Sequence, residues 1–225
     1  MSRHSGGPGR PERPLAGDIR RQPAPTPAAE SPLRRLESND AVALTFDDGP
    51  DPDYTPAVLD LLAAAQVPAT FFLIAREALR HPGLVRRIVA EGHTLGNHGW
   101  SHRHPWLQSA AGARRELRDG AVALTQLAGV AVRWYRPPHG RLRPCLRLAS
   151  AAQGQQVALW SKSAIDWGIW ADAARVARRL ARVQAGDIVL MHDGRNRHNR
   201  PAVTLQALPA LLADLRQRGL RAVRL

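Results

Sequence analysis

Seven short apolar runs punctuate the chain from residue 40 onward: AVALTF (41–46), ATFFLI (69–74), HTLGNH (93–98), VRWYRP (132–137), QVALWS (156–161), DIVLMH (187–192) and LRAVRL (220–225). Runs of this length, bounded by Gly, Pro and Asp, read as buried strands. Between them the apolar positions change period. Val58, Leu61 and Leu62 share one stripe of 55–65, and Leu84, Val85, Ile88 and Val89 share one of 82–90. Leu117, Ala121, Leu124 and Leu127 do the same in 107–128, as do Leu205, Leu208, Leu212 and Leu215 in 203–218. Spacings of three and four belong to amphipathic helices. Seven strands alternating with six helices predict an α/β protein of parallel βαβ units.

Residues 1–38 break this rhythm, with scattered Pro, Gly, Ser and Arg and almost no large apolar residue. Such a stretch buries too little surface to offset chain entropy, so a disordered arm is expected over 1–38 and one folded domain over 39–225. The arm also lacks the apolar core of about 7–15 residues found in a secretory signal, which predicts a cytoplasmic protein. No run reaches the roughly 18 apolar residues of a membrane-spanning helix.

A single cysteine, Cys145, excludes an internal disulfide framework and a four-thiolate zinc site. The 32 Lys and Arg against 19 Asp and Glu give a net charge of +13, yet only Lys162 is a lysine. The arginines are spread along the chain, often in pairs such as Arg86–Arg87, Arg114–Arg115 and Arg178–Arg179. An even spread raises the isoelectric point without forming a nucleic-acid footprint, so no nucleic-acid partner is expected; an anionic substrate or a membrane surface stays open.

Titratable residues gather where the expected strands end. The first strand runs into Asp47 and Asp48, the third into His98, the fourth into Arg136 and the sixth into His192, while Asp166 follows the fifth. In parallel α/β folds the carboxyl ends of the strands are where ligands bind. Each residue alone also admits a plain structural role: an Asx turn at Asp47–Asp48, a helix cap at Asp166, surface positions for His98 and His102 in a chain with nine histidines. Taken together, two histidines four apart and one aspartate make a three-ligand set with open positions, the arrangement of a catalytic rather than a structural metal. The second aspartate is then available as a general base.

TFDDGP (45–50), HGWSH (98–102), RPPHG (136–140), IDW (165–167) and LMH (190–192), in this order, resemble the five motifs of the polysaccharide deacetylases, also called NodB-homology or carbohydrate esterase family four proteins. The resemblance runs from about Val42 to the C-terminus. It implies a distorted, incomplete (β/α)7 barrel of TIM type and metal-dependent hydrolysis of N-acetyl groups on amino sugars. By position, Asp47 resembles the catalytic base, and Asp48, His98 and His102 the ligands of a divalent metal, Zn2+ with Co2+ or Ni2+ as substitutes. Arg136 resembles the partner of the base, His192 the general acid and Asp166 the carboxylate behind it. Trp167 and Leu190 look like walls of the acetyl pocket. Pro138 and His139 fall at the substrate, with a backbone N–H near His139 facing the oxyanion.

Two positions depart from the family pattern: His139 stands where tyrosine is common, and Ser163 where an earlier aspartate often lies. The resemblance still covers a complete catalytic set. Since the arm carries no export signal, the expected substrate is an N-acetylglucosaminyl group on a cytoplasmic glycoconjugate, of the glycopeptide-antibiotic kind, with chitooligosaccharide or peptidoglycan as the alternative. A non-catalytic sugar-binding module and a basic nucleic-acid-binding protein are the rival classes. Trp100, Trp106 and Trp170 flank the motifs as candidate stacking faces or as packing residues.

Overall fold

The computed structural model describes residues 31–225, so the expectation for residues 1–30 lies outside the described residues. The centre of the sheet is β1 (Ala41–Asp47), whose seven residues are all buried. It pairs with β2 (Thr70–Leu73) on one side and β7 (Ile188–His192) on the other, while β8 (Arg221–Val223) lies against its first three residues. Beyond β2 come β3 (Thr94–Asn97), β4 (Trp134–Tyr135) and β5 (Gln156–Val157); beyond β7 comes β6 (Lys162–Ser163). Every ladder is parallel. Among the described residues no ladder joins β5 to β6, so the barrel stays open on that side, as the family resemblance implies.

The helices are α1 (Thr55–Ala65), α2 (Ala75–Arg80), α3 (Pro82–Ala90), α4 (Ala110–Ala128), α5 (Pro144–Ala152), α6 (Ala173–Leu180) and α7 (Pro201–Gln217). This is one more than the six expected, because residues 75–90 hold two helices that meet at His81–Pro82, where proline removes an N–H and starts a new first turn. The side chain of Ser109 caps α4 by accepting from Gly112 N at 3.0 Å, and Gly129 ends it at φ 66°. The core is two clusters. The larger holds Leu44, Phe46, Phe71 and Leu208, all fully buried, and the smaller joins Leu117, Tyr135, Leu146 and Val157. Each such side chain contributes about 1.5–3 kcal/mol of burial.

The run at 156–161 is not one strand. After Val157 the chain leaves β5, crosses the open side and resumes as β6 at Lys162. Residues from the expected arm occupy the vacated edge. Leu33 pairs alongside Ala158, donating to Val157 O at 2.9 Å and accepting from Leu159 N at 2.8 Å. Leu36 N reaches Gly186 O at 2.8 Å, and Arg35 meets Asp187 at 2.6 Å. The ordered domain therefore begins before residue 39: an unpaired sheet edge offers backbone groups that residues 33–36 satisfy.

Candidate active site

The C-terminal ends of β1, β3 and β7 converge on a cavity of about 270 Å³, lined by Asp47, Asp48, His98, His102, Trp167, Leu190 and His192 among others. Register places the pieces. Asp47 lies opposite His192 across β1–β7, and Asn97 at the end of β3 brings His98 up beside them. Asp48 turns out of the strand at φ 75°, a left-handed geometry that aspartate tolerates, so the two adjacent carboxylates face different groups.

Asp48, His98 and His102 present ligand atoms within 4.8 Å of one another. Asp48 Oδ1 lies 3.4 Å from His98 Nε2 and 3.1 Å from His102 Nε2. The histidines are joined by a loop and not by a helix, since Gly99 (φ 86°) and His102 (φ 61°) both adopt left-handed backbone. His98 Nδ1 lies 2.7 Å from Arg136 O, which fixes a proton on that nitrogen and turns Nε2 toward the cluster, where burial is outweighed by the Asp47 and Asp48 carboxylates, which raise the imidazole's pKa. Burial pulls His102 down to about 3, so its imidazole is neutral. Asp48 Oδ1 is buried and has no hydrogen-bond partner. A buried carboxylate oxygen left without a partner beside two imidazole nitrogens is costly unless a cation sits between them, so the donor set fits a divalent metal.

The other oxygen of Asp48 is saturated. Asn196 Nδ2 donates to Oδ2 at 2.7 Å and Asn199 Nδ2 at 2.5 Å. Both asparagines come from the loop after β7, and the sequence reading missed them because a polar loop residue carries no periodicity to mark it. Their bonds leave Oδ1 free to face the two histidines.

Asp47 is paired on its far side. Arg136, with no solvent exposure, donates from Nη1 to Asp47 Oδ1 at 2.7 Å and to Thr45 Oγ1 at 2.8 Å. Its Nε and Nη2 reach Ala158 O (3.2 Å) and Leu159 O (2.9 Å), carbonyls that point at it where the sheet is interrupted. The guanidinium lies 3.9 Å from the centre of the Phe72 ring. Phe72 in turn occupies the space over Gly96, where any Cβ would overlap the ring. One glycine thus permits the platform on which the arginine rests.

His192 Nδ1 lies 2.8 Å from Asp166 Oδ1, while His192 N (2.7 Å) and Thr204 Oγ1 (2.5 Å) both donate to Oδ2. Burial of the imidazole works against its charge, but the Asp166 carboxylate and its hydrogen bond outweigh that and push His192 up to about 9. Thr204, from α7, is a further residue the sequence did not mark. Trp167 meets the His192 ring edge-on with centroids 5.6 Å apart, and Leu190 is buried beneath the cavity.

The remaining sequence candidates separate. His139 lines the cavity at φ 58°, its ring 4.6 Å from His102 and 5.0 Å from His104, outside the three-residue ligand cluster. Pro138 is buried against the loop at Gly99 and does not line the cavity. Trp100 is half-buried against the main core, whereas Trp106 and Trp170 are exposed. Ser163 accepts from Ile165 N at 3.2 Å, a turn bond that brings Asp166 round.

Residues 35–158, more than half the chain, match the polysaccharide deacetylase family. A peptidoglycan-N-acetylglucosamine deacetylase of Bacillus cereus is 35% identical over 81% of this chain and 84% of its own length. A chitooligosaccharide deacetylase of Sinorhizobium fredii is 42% identical over 68% of this chain and 72% of its own. A crystal structure of a peptidoglycan N-acetylglucosamine deacetylase bound to 4-naphthalen-1-yl-N-oxidanyl-benzamide superposes with a TM-score of 0.79 at 32% identity, covering 85% of this chain and 89% of that one. With the open parallel barrel and the Asp-His-His cluster at its mouth already described, these similarities place the chain in the polysaccharide deacetylase family. It is an enzyme of that hydrolase class.

Proposed function

We propose that the chain hydrolyses the N-acetyl group of an N-acetylglucosamine residue in a peptidoglycan- or chitooligosaccharide-type glycan, releasing acetate and a free amine. The observation that carries this is the pairing of Asp47 and His192, in register across β1 and β7, in one cavity with the Asp48–His98–His102 cluster. The relatives named for these two glycan classes support the sugar.

In this reading Asp48, His98 and His102 hold Zn2+, with Co2+ or Ni2+ as substitutes. A divalent metal there supplies Lewis acidity for the amide oxygen and for the attacking water. Asp47 accepts the water's proton through Oδ2, since Oδ1 is held by Arg136. Arg136 holds that carboxylate in a fixed orientation beside a second acid. His192, protonated below about 9, donates from Nε2 to the leaving nitrogen, while Asp166 holds Nδ1. Trp167 and Leu190 enclose the acetyl methyl, and a backbone N–H near His139 faces the oxyanion.

The test is acetate release over chitooligosaccharides, peptidoglycan fragments and glycosylated small molecules, with free N-acetylglucosamine as the minimal substrate. Turnover of the first two classes is expected. Preferential turnover of a soluble glycoconjugate would favour instead the cytoplasmic, glycopeptide-type substrate that the arm suggested, and fractionation of the native protein addresses its compartment. A bare sugar-binding module predicts retention of glycan with no acetate at all.

A further inference from the structure

Four of the most exposed large apolar residues stand in two pairs on loops at the site end of the sheet. Trp106 (58% exposed) and Leu107 (86%) lie on the loop after β3, and Ile169 (79%) and Trp170 (74%) on the loop after β6. Both loops leave the carboxyl ends of strands in one parallel sheet, so both pairs stand at the end of the barrel that carries the site. Each is built alike. Arg143 reaches under the first turn, donating to Pro105 O and Gln108 O at 2.9 Å, and its guanidinium lies 5.3 Å from the Trp106 ring centre. Arg175 donates to Trp170 O at 3.2 Å and Arg200 to Gly168 O at 3.5 Å under the second. Arginines therefore brace the backbone beneath both tips, Arg175 also pairing with Asp172 at 3.0 Å. Arg103, Arg141 and Arg197, on loops of the same end, are exposed and have no acidic partner among the described residues.

We infer that this end of the molecule docks on an anionic lipid bilayer surface, with the two apolar pairs entering the headgroup–acyl boundary and the arginines meeting lipid phosphates. Paired aromatic and aliphatic side chains ringed by cations are the composition that favours such a boundary. The aliphatic members decide against a purely sugar-stacking role: Leu107 and Ile169 are more exposed than the tryptophans beside them and have no ring face to offer a glycan. The net charge of +13 is of the sign an anionic surface attracts. Docking would present the cleft to glycans carried at a membrane. The inference stands apart from the catalytic reading, because its readout needs no turnover.

The full chain is sedimented with vesicles of phosphatidylcholine, with and without phosphatidylglycerol, in the absence of glycan. Pelleting is expected with the anionic vesicles and not with the neutral ones, and it should weaken as salt rises. Leu107→Ser combined with Ile169→Ser should lower the partition coefficient by about tenfold or more, with unchanged thermal unfolding and unchanged acetate release from a short soluble chitooligosaccharide. Arg103→Glu combined with Arg197→Glu should lower it at least as far. No pelleting on anionic vesicles, or pelleting indifferent to the Leu107/Ile169 pair, overturns the inference. So does loss of glycan affinity in that pair without any vesicle binding in the parent, which would make the tips part of a sugar site.

Discussion

Arg136 and Asp47 form an ion pair with almost no solvent exposure, 2.7 Å between Nη1 and Oδ1, while Asp47 Oδ2 lies 3.7 Å from His98 Nε2. The two oxygens of one carboxylate are thereby given separate tasks: one is held by the guanidinium and the other faces the ligand cluster. Asp47→Asn keeps an oxygen for Arg136 but offers no proton acceptor. Turnover should fall about 10²–10⁴-fold while metal content, read by elemental analysis, stays at the parent's level. His98→Ala should lose the metal itself.

The pair of Asp166 with His192 makes a pH prediction. The proton-donating form of His192 exists below its raised value of about 9 and disappears as pH rises through it. Acetate release should therefore show an alkaline limb near 9. Asp166→Asn removes the largest contributions that hold His192 up and leaves only the Asp48 and Asp47 carboxylates against burial, so the limb should move to lower pH, cutting the rate at pH 8 by at least about tenfold. An unmoved limb would assign the acid to another group.

Asn196 and Asn199 hold the oxygen of Asp48 that faces away from the cluster. Replacing both with alanine frees that oxygen to rotate inward and removes the bonds that set the carboxylate's orientation. Metal affinity, measured by competition with a chromophoric chelator, should weaken about 10–100-fold. Asn→Asp at either position places a third carboxylate against Asp48 and should destabilise the metal-free protein more than the alanine does.

Truncation separates residues 1–30 from the strap at 33–36. Deleting residues 1–30 removes none of the contacts described above and should leave melting and activity intact. Deleting 1–36 exposes the edge beside Ala158 and Gly186 by removing the backbone bonds of Leu33 and Leu36. The expected loss is about 1–3 kcal/mol, seen as a fall in Tm of roughly 2–4 °C per kcal/mol for a protein of this size.

What could be read from the sequence follows from what repeats or clusters. The runs of β1, β2 and β7 are plain because a strand buried on both faces is mostly apolar, and the motif residues at their ends are plain because they are titratable. The run at 156–161 misled, since apolar composition says that residues are buried and not whether they pair. Its Ala158 and Leu159 are buried, yet they lend their carbonyls to Arg136 rather than to a neighbouring strand. Residues 31–38 looked like arm because a strap held mainly by backbone bonds needs few apolar side chains. Pro138 belongs to the substrate set only by its place in a motif, and it packs against the loop at Gly99.

The most direct test of metal-dependent deacetylation is acetate release from a chitooligosaccharide by protein stripped with a chelator and titrated back with zinc. The stripped enzyme should release no acetate, and the rate should return and level off at one equivalent of metal. A rate that survives complete stripping, verified by elemental analysis, would contradict the assignment of Asp48, His98 and His102 as ligands of a catalytic metal.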